Sequence, residues 1–139
     1  QEGTRYTISF PDSVLSDIIG RSNDSTEVSF TTDGYTDYGL YRLHVVNASQ
    51  YPQLLIQLLD KDEKVVREEI IGAEASITWD YLNPGNYMVK AVADLNGNGK
   101  WDTGIFSIRK QPEPVVFHPE ILEVREGWTF DLDWSVVFE

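Results

Sequence analysis

The chain has 139 residues, 41% of them hydrophobic, enough for one ordinary domain with its own core, or for one domain and part of a second. A formal charge of −12 makes a surface that repels phosphate backbones and anionic lipid headgroups, so nucleic-acid and membrane-surface binding are disfavoured, and no direct membrane insertion by this fragment is expected. The lack of cysteine excludes a disulfide framework, a thiolate nucleophile and a zinc–cysteine site.

Along the chain, most segments alternate apolar and polar residues with period two between Gly, Pro, Asn and Asp, which predicts half-buried antiparallel strands. Strands are predicted at 6–10, 27–32, 38–46, 53–60, 65–71, 75–80, 86–93 and 105–110. In a closing run, Trp128, Phe130, Leu132, Trp134, Val136 and Phe138 share one face. This short spacing predicts an all-β fold, an antiparallel Greek-key β-sandwich, rather than βαβ units. The one helical expectation is brief: Asp12-Ser13 caps a turn or two carrying Val14, Leu15, Ile18 and Ile19, and Gly20 ends it. The polar, glycine-containing stretch 33–37 is the expected boundary between two modules.

Leu54 to Leu59 is nearly all apolar and predicts a central strand buried on both faces, followed by a hairpin loop at Asp60-Lys61-Asp62-Glu63-Lys64. In Leu82-Asn83-Pro84-Gly85-Asn86-Tyr87, Pro and Gly make a turn from which Tyr87 enters a strand, its hydroxyl placed to bond upstream backbone. That is the logic of a tyrosine corner. Gln111-Pro112-Glu113-Pro114 and His118-Pro119-Glu120 read as exposed bends or edge strands, because proline cannot donate to a central ladder.

Chemistry concentrates in Asp94-Leu95-Asn96-Gly97-Asn98-Gly99-Lys100-Trp101-Asp102. Asp94, Asn96, Asn98 and Asp102 carry oxygens at alternate positions through a glycine-rich turn, and Lys100 offers a backbone carbonyl. A hard cation such as Ca²⁺ takes six to eight oxygens, and this spacing supplies several of them. The EF-hand pattern is met through Gly99, but its twelfth position, normally a bidentate Glu, is Ile105. The same Asn-Gly pairs also make plain hairpin turns. Two readings therefore stand: a weak structural Ca²⁺ site, with affinity on the order of 10⁻⁴ to 10⁻³ M, or a metal-free turn.

Other candidates are thinner. His44 and His118 sit in no nucleophile or metal motif, and Glu68-Glu69 reads as a solvated pair rather than a glycosidase dyad. Trp79, Trp128 and Trp134 lie in strand patterns that favour the core. Trp101 is the loop aromatic with a claim to carbohydrate contact. Asn23-Asp24-Ser25 and Asn47-Ala48-Ser49 match the N-glycosylation pattern. Asp12-Ser13-Val14 and Asp24-Ser25-Thr26 resemble short O-glycosylation sequons of bacterial envelope proteins.

Tyr81 to Tyr87, Asp94 to Gly104, Gln111 to Glu113 and the strand around Trp128 and Trp134 together resemble a group of Bacteroidetes surface lipoproteins with bacterial Ig-like domains. Tyr6 to Thr32, with Phe10, Asp17, Gly20 and Phe30-Thr31-Thr32, resembles the last strands of an S-layer-type Ig-like domain. The resemblance implies residues 1–36 as the end of a truncated Ig-like domain and 37–139 as a transthyretin-like or Cna-B-like sandwich. It also implies an extracytoplasmic address, at the outer-membrane-anchored cell surface or in the periplasm. The expected role is a non-enzymatic spacer or interaction module, with a carbohydrate- or ligand-binding module as the alternative. Its expected partners are neighbouring Ig-like domains of the same longer chain, and surface proteins or glycans.

Overall fold

Period-two alternation becomes ten strands among the residues described, 2–138, in the computed structural model. The chain divides into two compact units, Gln1–Tyr35 and Thr36–Glu139.

The first unit holds one antiparallel pair, β1 (Arg5–Phe10) and β2 (Thr26–Thr31). The register sets Tyr6 opposite Phe30 and Ile8 opposite Val28, so one face of the ribbon is apolar and the other carries Thr7, Ser9, Glu27 and Ser29. Tyr6 and Phe30 stack with centroids 5.6 Å apart. The helix expected after Asp12 does not form. The carboxylate of Asp17 accepts the N–H groups of Ile19 and Arg21, and the side chain of Asn23 accepts that of Leu15. Side-chain acceptors thus take the amides that a helix would need, in a segment too short to nucleate one unaided.

The second unit is an all-β sandwich. A three-stranded sheet has the order β10 (Thr129–Val136), β3 (Gly39–Asn47), β6 (Glu74–Leu82). The facing five-stranded sheet runs β5 (Val65–Ile71), β4 (Leu54–Leu59), β7 (Gly85–Ala93), β8 (Val115–Phe117), and β9 (Leu122–Val124) also pairs with β7. Pairings are antiparallel except that of β10 with β3, which is parallel and brings Trp134 beside Val45. Tyr41, Leu43, Val45, Leu54, Ile56, Leu58, Trp79, Val89, Trp134 and Val136 fill the space between the sheets.

Every residue of β4 is buried, as expected for a strand covered on both sides. Leu54, Ile56 and Leu58 join the main core, while Leu55, Gln57 and Leu59 point the other way. The segment after β7 crosses that outer face: a Cβ on Gly99 would lie 2.9 Å from Ile70 Cδ1, and Ile70 is the register partner of Leu55. The hairpin at Asp60 forms with its carboxylate accepting the N–H groups of Asp62 and Lys64. The corner also forms, with Tyr87 Oη donating to the carbonyl of Asn83 at 2.9 Å.

Two further expectations fail. Residues 105–110 make no strand but a 3₁₀ turn, Phe106–Ile108, closed by a single bridge from Ile105 to Lys110, because the chain reverses too soon for a ladder. Trp128 precedes β10 and is 54% exposed rather than in the core. It lies over Phe130 and under the guanidinium of Arg125.

Leu58→Ala is expected to cost about 2–5 kcal/mol of unfolding free energy, as for other fully buried leucines, and Tyr87→Phe about 1 kcal/mol for one lost hydrogen bond. Urea denaturation of both variants checks the ranking.

Candidate functional site

Asp94 directly follows β7. Because Ala93 pairs with Leu54, the neighbouring Gln53 lies beside the Asp94 carboxylate. That carboxylate is 1% exposed and accepts four hydrogen bonds. Oδ1 takes the N–H groups of Gly97 at 2.7 Å and Asn98 at 3.2 Å, and Oδ2 takes those of Gly99 at 2.8 Å and of the Gln53 amide at 2.9 Å. The chain can wrap so tightly around one side chain because Gly97 and Gly99 adopt φ of 72° and 71°, where a Cβ is disfavoured. Burial alone would raise the pKa of Asp94. The donors, led by Gly99 and Gln53, outweigh it and hold the carboxyl below its ordinary value.

A second carboxylate arrives from outside the motif. Glu113, 3% exposed, accepts the N–H of Leu95 on Oε1 at 2.8 Å and that of Asp102 on Oε2 at 2.9 Å. Its own N–H donates to the carbonyl of Asp102, and its carbonyl receives the indole N–H of Trp101 at 3.1 Å. Glu113 was expected in an exposed proline bend. It is instead the clamp that closes the loop at both ends, because Leu95 and Asp102 present amides that nothing else in the turn satisfies. No periodicity marks it; the sequence signal is its place in the Gln111 to Glu113 motif.

The remaining loop residues meet on the open side. Asn96 Oδ1 accepts the N–H of Asn98 at 2.9 Å, and Asn98 Oδ1 that of Lys100 at 2.8 Å. Both amide Nδ2 groups donate to Asp102 Oδ2, that of Asn98 at 3.2 Å. The structure therefore brings Asp94, Asn96, Asn98, Lys100 and Asp102 into one network, with Trp101 pinned beside it and 43% exposed. By donor type, two carboxylates, two amide oxygens and a backbone carbonyl suit a hard cation. By present bonding, all four lone-pair positions of Asp94 already hold a donor, so an ion reaching Asp94 must displace one. Among the described residues no group of three or more His, Cys, Asp or Glu is disposed to hold a metal.

The other candidates stay apart. His44 lies on the outer face of β3, with Nδ1 3.3 Å from Ser76 Oγ and Nε2 3.4 Å from Glu74. His118 packs edge-on against Trp134. Glu68 accepts the Gln57 amide across the sheet. Asn47, in a glycosylation pattern, donates Nδ2 to the carbonyls of Tyr51 and Gly72, so its amide nitrogen is already engaged.

Asp94→Ala is expected to lower stability by about 3 kcal/mol, because it strands amides in a buried turn. The pKa of Asp94 is depressed on folding, so its contribution is present above the unfolded value near 4 and is lost as pH falls through the lower folded value. In Asp94→Asn that acid-dependent part of the unfolding free energy, read by chemical denaturation from neutral pH down to about pH 3, should disappear.

Comparison with curated proteins finds no match to this chain. A family comparison does: residues 35–119, more than half of the chain, match the family described as an uncharacterized protein conserved in bacteria (DUF2141). The matched span takes in β3 to β8 with the whole Asp94–Glu113 network, and stops before β9 and β10. The chain belongs to this bacterial family of uncharacterized proteins, DUF2141.

Proposed function

We propose that the chain is a non-enzymatic, extracytoplasmic β-sandwich module, a spacer or interaction domain of a longer surface lipoprotein. The observation that carries this reading is the use of its two buried carboxylates. Asp94 and Glu113 are engaged by backbone N–H groups on every oxygen, which is the work of a brace and not of an acid or a nucleophile. The apolar ribbon face of Tyr6, Ile8, Phe10, Val28 and Phe30 supports reading residues 1–36 as the last strands of an Ig-like neighbour, since a two-stranded sheet is marginal by itself.

Calcium enters this reading as a second brace on the same loop. The convergence of Asn96 and Asn98 on Asp102 favours it, because a divalent ion would replace the two amide donors at that carboxylate. Calcium at a hundred times its dissociation constant should stabilise the fold by about 2.7 kcal/mol, and Asp94→Ala should remove the increment. A thermal midpoint unmoved at about 100 mM calcium, a hundred times the weaker expected dissociation constant, would leave the loop braced by hydrogen bonds alone.

One observation favours the alternative, a carbohydrate- or ligand-binding module. Trp128 is half exposed and heads a stack in which Phe130 lies 5.8 Å from it and Tyr41 5.2 Å from Phe130. Aromatic faces of this kind pair with the apolar faces of sugars. Binding on a glycan array that is lost in Trp128→Ala would establish this role, whereas an array without signal would count against it.

A further inference from the structure

The loop braced by Asp94 and Glu113 leads to a tip that neither carboxylate needs. Between Ile105 and Lys110, whose backbones exchange hydrogen bonds of 2.9 and 3.0 Å, the 3₁₀ turn Phe106–Ile108 projects. Phe106 is 99% exposed and Ile108 67%. Ile105, and Trp101 further back, are also exposed. Next in the chain come Arg109 and Lys110, the one place in the sequence where two basic residues adjoin. Residues 103–112 contain no Asp or Glu, and neither cation is paired with a carboxylate among the described residues.

We infer that residues 105–110 form a rigid finger that contacts an anionic lipid surface, with Phe106 and Ile108 entering the headgroup boundary and Arg109 and Lys110 pairing with lipid phosphates. Three features favour a lipid surface over a protein socket. Phe106, 99% exposed, stands clear of its neighbours and needs no shaped cavity to receive it. The finger's backbone also sets the apolar pair Phe106 and Ile108 within the turn and Lys110 at the bridge that closes it, an order matching a bilayer from core to headgroup. The turn is held by backbone hydrogen bonds before it meets a partner, so little conformational freedom remains to be lost on contact.

The net charge of −12 argues against anionic surfaces only if charge is spread evenly. Screening limits each charge to about 8–10 Å at physiological salt, so distant acids weigh little at the tip, and the carboxylates nearest in the chain, Asp102 and Glu113, are already engaged by N–H donors. Phe106, Arg109, Lys110, Gly104, Gln111 and Pro112 line a shallow depression on the side of the finger, which gives a headgroup a place to sit.

Flotation of the purified chain with phosphatidylcholine vesicles containing about 30 mol% phosphatidylglycerol, at about 0.15 M salt, tests this directly. The chain should float with these vesicles, and Phe106→Ser with Ile108→Ser should cut the bound fraction about tenfold. Arg109→Gln with Lys110→Gln should reduce binding to the level seen on phosphatidylcholine alone. Phe106→Ser should keep the wild-type thermal midpoint, since the ring is bare in the folded state, so lost binding cannot be put down to unfolding. No flotation of the wild type at about 1 mM lipid would overturn the inference and point the finger at an acidic, apolar-socketed protein surface. Equal flotation of the tip variant would overturn it as well.

Discussion

Two carboxylates buried beside the five-stranded sheet have to be met by N–H donors, and the course of the chain from Asp94 to Glu113 follows from that requirement. An unpaired charge in such a position costs several kcal/mol. Asp94 therefore gathers the amides of Gly97, Asn98 and Gly99 together with the Gln53 side chain, and Glu113 gathers those of Leu95 and Asp102. Each donor fixes a backbone position, so some twenty residues without a ladder are ordered by two side chains. Gly104 shows how closely the segment is drawn together: a Cβ there would sit 2.8 Å from the carbonyl of Lys110 and 3.1 Å from Pro112.

The brace also completes the sandwich. β4 carries apolar residues on both faces, and only one face meets the opposite sheet. The ordered segment passes over the other at Ile70 and Gly99, so the hydrophobic burial of Leu55 depends on a loop that is itself held by polar contacts. The two kinds of interaction are coupled. Loosening the carboxylates would uncover the outer face of the sheet, and the loop that results would no longer present Phe106 and Ile108 on a fixed turn.

Where a physical cause was local, the sequence was legible. Leu54 to Leu59 named a doubly covered strand because burial explains five apolar residues among six in a row. Tyr87 named its corner through Pro84-Gly85, and Asp60 its hairpin through an acceptor two residues from the amide it bonds. The alternation ending at Trp134 and Val136 was read correctly, although not its parallel partner, since period two is the same in either direction. Illegible features had distant causes. Glu113 is buried because Leu95 and Asp102 need acceptors, a fact carried by no pattern around it. Asp17 defeats a helix by bonding its own neighbours, and residues 105–110 look like a strand until the reversal that exposes Phe106 is seen.

The sequence grouped the residues of the loop, and the hydrogen bonds that join them were not legible in it. Asp94, Asn96, Asn98 and Asp102 do share one network, yet the carboxylate missing at Ile105 is supplied by Glu113 as a clamp on the backbone. Amide hydrogen exchange tests that account most directly. The amides of Leu95, Gly97, Gly99 and Asp102 should be protected in the wild type, and in Glu113→Ala those of Leu95 and Asp102, left without an acceptor, should open while β4, laddered to β5 and β7, stays protected. Exchange of all four at the rate of free peptide in the wild-type protein would contradict it.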